Sequence, residues 1–181
     1  MIDRMSLLPK IGAMKEIPLT QGKIALVDDG DFESVSRFKW HAHFDGYNWY
    51  AKKKNGIQGT RKRGVVHKPI AMHNFIMEPP PGVVIDHKDW NGLNNQRHNL
   101  RICTQAQNCQ NGRQRKGNKS GFKGVSWKKR NKKWCTQIAV FGKVIHVGLF
   151  DVATDAARAY DAAAMKYHGE FALTNAKLGL L

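Results

Sequence analysis

The chain has 181 residues, with 30 Lys and Arg against 14 Asp and Glu, a formal net charge of +16 and a pI of about 10.0. That length accommodates one domain or two small ones, and 41% hydrophobic with 9% aromatic residues excludes a wholly disordered chain. No apolar run approaches the ~18 residues of a membrane helix. Asp3, Arg4, Lys10, Lys15 and Glu16 break up any signal-peptide core, and three cysteines without a CxxC spacing favour neither a disulfide framework nor a zinc knuckle. The expectation is a soluble, intracellular, very basic protein.

Residues 1–70 read as an N-terminal β-rich region. Glu16–Leu19 and Lys23–Val27 flank Thr20-Gln21-Gly22 at hairpin spacing. Apolar residues at 32, 35 and 38 suit a short helix, and Trp40–Phe44 and Tyr47–Lys52 flank Asp45-Gly46, a strong hairpin signal. The aromatics here are assigned to core. Residues 71–112 change texture. Met72–Met77 is a short apolar piece stopped by Pro79-Pro80-Pro81-Gly82, and Val83–Ile85 is a strand that delivers Asp86 and His87. A turn-rich loop, Asp89–Asn95, leads to a second strand, Leu100–Cys103, and Thr104 is placed to cap a helix holding Asn108. That helix either continues to Gln114 or frays after Asn108.

Residues 113–119 read as a basic linker, with Arg113, Arg115 and Lys116 placed to follow a phosphate backbone. Residues 120–175 read as three strands and a helix. The strands are Lys123–Trp127, Trp134–Phe141 and Lys143–Phe150; the helix is Thr154–His168, with Gly169 as its stop and Ala156, Tyr160, Ala163, Ala164 and Tyr167 as its apolar stripe.

The placement of charge is more telling than its sum. From Trp90 to Phe150 there is no Asp or Glu, yet that stretch holds 13 Lys and Arg. Gly46–Met77 is also free of carboxylates. Soluble surfaces ordinarily mix signs to limit self-repulsion, so so long a window points to a polyanion, nucleic acid first.

The constellation that carries chemistry is Asp86-His87, then Asn99, then Asn108. Phosphodiester hydrolysis needs a nucleophile made from water and neutralisation of charge on the leaving oxygen. An imidazole with a pKa near ~6.5 accepts a proton at neutral pH, and a carboxylate with an amide oxygen suits one hard divalent ion. As a bare pattern this is weak, because Asp-His pairs are common.

Met72-His73-Asn-Phe-Ile-Met, Val84-Ile-Asp86-His87-Lys-Asp89, Asn94-Asn95 and Arg97-His-Asn99-Leu-Arg-Ile-Cys-Thr104 resemble the HNH homing endonucleases of phages and mobile introns. The resemblance implies an α+β chain with a ββα-metal (HNH, His-Me finger) nuclease core. It further implies His87 as general base, Asp86 and Asn108 as ligands of one Mg2+ or Mn2+, Asn99 as a brace of the loop between the strands, and His73 as structural support or phosphate contact. Asn74 stands where the family often has Arg. Ser120–Trp127, Lys133-Trp134, Val147–Phe150 and Asp155–Ala164 resemble the Apetala-2/ERF domain, a three-stranded antiparallel sheet packed on one helix. That resemblance implies double-stranded DNA as partner, with Lys123, Ser126, Lys128, Trp134, Gln137 and His146 at DNA-facing positions; Ser126 and His146 depart from the residues usual in the plant domains.

Together these readings give a metal-dependent homing-type HNH endonuclease that nicks duplex DNA. It is expected as a monomer or weak dimer, in the cytoplasm of a bacterial or phage-infected cell, associated with the nucleoid. Two alternatives stay open: a sequence-specific DNA-binding regulator with a degenerate HNH motif, and a nuclease of structured RNA.

Overall fold

A computed structural model of the protein describes residues 13–54, 68–112 and 117–181. The chain is mixed α+β, with antiparallel sheets and few helices, and divides into two units, Met1–Cys103 and Thr104–Leu181.

The first unit opens with the hairpin β1 (Met14–Pro18) and β2 (Ile24–Asp28), which turns through left-handed Gln21 and Gly22. Helix α1 (Asp29–Ser36) follows directly, with Asp29 and Asp31 in the first turn, where carboxylates oppose the helix dipole favourably. Next come β3 (His41–Phe44) and β4 (Trp49–Lys53), whose turn is fixed by Asp45 Oδ1 accepting the amides of Tyr47 and Asn48, both at 2.8 Å. The short β5 (Ile70–Ala71) pairs with β4 and runs into α2 (Met72–Met77), which ends at left-handed Glu78 before the prolines. Strands β6 (Val84–His87) and β7 (Leu100–Cys103) form an antiparallel pair in which Asp86 lies opposite Arg101 and His87 opposite Leu100. One core gathers these pieces: Ile17, Val27, Val35, Trp40, Met72, Ile76, Ile85 and Leu100. The expected helix around Phe32 and Val35 thus begins earlier and stops before Trp40, whose indole donates back to the Val35 carbonyl at 2.9 Å.

The second unit begins at α3 (Gln105–Asn111), capped by Thr104 in a reciprocal box with Gln107. The helix runs past Asn108 and ends at Asn111 with Gly112 as its cap. Strands β8 (Val125–Lys128), β9 (Lys133–Val140) and β10 (Lys143–Phe150) make one antiparallel sheet in the order β10-β9-β8, with a register shift between His146 and Gly148. Helix α4 (Ala153–His168) lies on one face of that sheet. Gly124, just before β8, allows the close approach of this helix, since a Cβ there would collide with the Tyr160 ring. The expected stripe needs one correction. Ala157 is fully buried, whereas Tyr167 is 38% exposed.

Candidate functional site

Three separate elements bring Tyr50, His73 and His87 together. Tyr50 is on β4, His73 on the first turn of α2, and His87 at the end of β6. The two imidazoles meet edge to face, with centroids 4.9 Å apart, and the Tyr50 ring lies 5.9 Å from each. Burial, the neighbouring His87 and Lys52 together push His73 down to a pKa of about 3, so its imidazole is neutral through any working pH. It therefore has no positive charge to offer a phosphate. Its Nδ1 is buried and makes no hydrogen bond. Burial also lowers the His87 pKa, opposed by a side-chain hydrogen bond with Asn95 and by Asp89 and Asp86. Burial, then Asp45, then Asp86 raise the Tyr50 phenol, against a lowering hydrogen bond with Asn48.

Asp86 is nearly buried and is engaged by Arg101 across the β6–β7 pair. Arg101 Nε donates to its Oδ2 at 2.8 Å and Nη2 approaches the same oxygen at 2.7 Å. The Arg101 and Asp86 side chains are 12% and 7% exposed, so the pair is largely desolvated. Sequence reasoning passed over Arg101, although two four-residue strands of fixed register place an opposite charge facing Asp86.

The loop between β6 and β7 is organised by Asn99. Its Nδ2 donates to Asp89 Oδ1 at 2.9 Å and to the Asn94 carbonyl at 2.8 Å, while its Oδ1 accepts the Asp89 amide at 3.0 Å. Its carbonyl accepts the Lys88 amide at 2.9 Å. Asp89 accepts in turn from the Asn91 amide and from Asn94 Nδ2. The β-rich segment closes on this loop: the Leu26 amide donates to the Leu93 carbonyl and the Asn95 amide to the Leu26 carbonyl, both at 2.8 Å. Asp28 accepts from Gln96 Nε2 and the Arg97 amide, and Arg97 forks onto Asp31 at 2.7 and 2.8 Å. Asn48 Nδ2 donates to the carbonyl of Trp90, a non-glycine residue at φ +61°. Tyr50, Asn95 and Arg97 thus join the site without having been assigned a role from sequence.

Asn108 is on α3, half-buried, in the second unit. Among the described residues no group of three or more His, Cys, Asp or Glu could hold a metal. The oxygen donors in question, the Asp86 carboxylate and the Asn108 amide, suit a hard divalent ion by type but are few. Any ion at Asp86 would share its carboxylate with the Arg101 guanidinium.

The open face of the β8–β10 sheet carries Ser126, Lys128, Gln137 and His146, all exposed, with His146 paired across the ladder with Gln137. Two of the expected DNA-facing residues are not on it. Trp134 and Gln137 are three apart on one regular strand, so they point to opposite faces. Trp134 packs with Val125, Ala156 and Ala157 under the helix and meets Trp127 edge to face at 5.0 Å. Lys123 is 9% exposed, and its ammonium donates to the Gln110 and Gly112 carbonyls, each at 2.6 Å, at the C-terminal end of α3. Burial pulls its pKa down to about 8, against a raising influence from Asp161. Arg113, Arg115 and Lys116 lie outside the described residues.

No family profile matches the chain. It is 36% identical over 93 residues to protein 3.8 of Escherichia phage T7, which spans 51% of this chain and 76% of that protein. It is 42% identical over 60 residues to the AP2-like ethylene-responsive transcription factor TOE2 of Arabidopsis thaliana, covering 33% of this chain but only 12% of the plant protein. An uncharacterized HNH endonuclease of Acanthamoeba polyphaga mimivirus is 30% identical over 148 residues, 81% of this chain and 75% of the viral protein. With the likeness extending over most of both sequences, the chain belongs to the HNH endonuclease family.

Proposed function

We propose that this chain is a metal-dependent endonuclease that nicks duplex DNA, with β6, β7 and α3 as its ββα-metal core and the sheet of the second unit as its DNA reader. The observation that carries the reading is His87. It stands next to Asp86 at the end of β6, before a loop braced by Asn99, with His73 and Tyr50 packed against its ring. In this reading His87 takes the proton of the attacking water. Asp86 and Asn108 hold one Mg2+ or Mn2+, which when bound neutralises charge on the leaving oxygen. Asn99 keeps the loop, and through it His87, in place. Ser126, Lys128, Gln137 and His146 meet the DNA, and Arg113, Arg115 and Lys116 add phosphate contacts. A single such site cuts one strand per visit, so open-circle plasmid is the expected product. The buried Asp86–Arg101 pair favours a second reading, a DNA-binding protein whose HNH fold does not cut, since the guanidinium competes with any cation for the carboxylate.

Conversion of supercoiled plasmid to open circle, with Mg2+, with Mn2+ and with chelator, separates the two. Metal-dependent nicking by the wild type, lost in His87→Ala while DNA affinity stays within a few-fold, supports the nuclease. Nicking that survives His87→Ala or ignores chelator refutes the assigned roles, and tight binding without nicking under either metal supports the second reading.

A further inference from the structure

The turn between β9 and β10 holds an apolar group that the fold does not use. Phe141 is 92% exposed and touches none of the buried clusters. It also sits at φ +48°, followed by Gly142 at φ +76°, so a bulky aromatic occupies a left-handed position that suits Gly or Asn. An exposed aromatic there gains nothing from burial and strains the backbone, and strain of this kind collects where a residue is held for function. Beside it are Val144, 66% exposed, and its cross-strand partner Ala139, also exposed; by strand alternation both lie on the face that carries Gln137 and His146. Lys143 follows the turn, inside the long stretch without carboxylates.

We infer that Phe141, flanked by Val144 and Ala139, is an apolar wedge that presses on a base step and its deoxyribose at the edge of the DNA bound by this sheet. This deepens the reading of the second unit as a DNA reader and rests on it. Charge selects the occupant: an apolar tip within an excess of Lys and Arg fits a polyanion with apolar bases and sugars between its phosphates, and aromatic or aliphatic wedges at base steps are a recurrent mode of duplex binding. A second copy of this equally basic chain would bring like charge against like.

The test compares the full-length wild type with Phe141→Asn and Phe141→Trp, by thermal melting and by titration of a random-sequence duplex across a salt series. Asn suits the left-handed backbone, so Phe141→Asn melts at or above the wild-type temperature yet binds DNA about tenfold more weakly. Because no charge is removed, its log–log salt slope equals that of the wild type. Phe141→Trp restores wild-type affinity. Opposite signs for stability and binding are what a merely structural residue cannot give. Unchanged DNA affinity in Phe141→Asn overturns the inference and leaves the DNA reading intact. A folded wild type that does not bind duplex overturns the DNA reading and the wedge with it, and loss of self-association in place of DNA affinity assigns the tip to a second copy.

Discussion

Gly92→Ala is the sharpest test of how the β6–β7 loop and the β-rich segment fit together. A Cβ at Gly92 would lie 2.5 Å from the Trp49 carbonyl oxygen, 2.5 Å from Tyr50 Cε1 and 2.6 Å from Cδ1. Ordinary contact begins near 3.4 Å, so each group must retreat by about 0.9 Å, and one of them is backbone at the start of a paired strand. Overpacking of this kind costs about 1–3 kcal/mol. The Tyr50 ring cannot retreat freely, because it also packs against His73 and His87. Part of the displacement must therefore reach the imidazole assigned to proton transfer, where ~1 Å of misplacement can lower a rate a hundredfold. Urea denaturation should show the loss of stability, and plasmid nicking should fall tenfold or more under conditions where the variant is folded. Adding Tyr50→Ala removes the ring contacts but not the carbonyl contact, so a double-mutant cycle should give a favourable coupling of about 1 kcal/mol. Additive effects, or a Gly92→Ala protein within about 0.5 kcal/mol of wild type, would refute the packing argument.

Two further outcomes follow from buried charge. Arg97→Ala leaves the Asp31 carboxylate, 11% exposed, without its forked guanidinium and removes a donor from the Ile76 carbonyl. Because Arg97 is itself about half exposed, the expected loss is about 1–2 kcal/mol, read from the urea midpoint. Lys123 gives a pH signature: with a folded pKa of about 8 against 10.5 in the unfolded chain, the unfolded state holds a proton the folded state lacks between those values. The penalty is fully present below pH 8, so stability rises with pH above it, by at most about 1.4 kcal/mol per unit, and Lys123→Met should flatten this rise in denaturation midpoints from pH 7.5 to 9.5. Above pH 10 Tyr160 acts the other way, since burial holds its phenol up to about 12.

Much of the local structure was legible because its signals are short in range. Asp45-Gly46, the Thr104–Gln107 cap and Gly169 each act on neighbours a few residues away, and the elements they bound fall close to the expected limits. The site was less legible where it depends on convergence. Tyr50 belongs to a hairpin whose aromatics read as core, and only the packing of β4 against α2 and β6 gives it two histidines as neighbours. Lys123 misled for a different reason. In a strongly basic stretch a lysine reads as a phosphate contact, yet this one satisfies carbonyls at the end of α3 that would otherwise lack donors. Trp134 was assigned by likeness to a motif, and strand parity, available from the sequence alone, already separates it from Gln137.

The same accounting changes what the net charge means. Several of the carboxylates are consumed internally: Asp28 and Asp31 by Gln96 and Arg97, Asp86 by Arg101, and Asp161 by the amides of Asn175 and Ala176. Of the lysines and arginines in the acid-free window, Arg97, Arg101 and Lys123 hold protein atoms, while Lys128, Lys129, Arg130, Lys132 and Lys143 stand exposed on or beside the β8–β10 sheet. The side chains that bind the fold together are thus drawn from both signs, whereas those left to meet a partner at that sheet are cationic. A salt dependence of DNA binding should accordingly follow the exposed cations of the second unit, each phosphate neutralised adding roughly −0.9 to the log–log slope. Substituting Arg97 should change stability and leave that slope untouched, since its charge is already committed to Asp31.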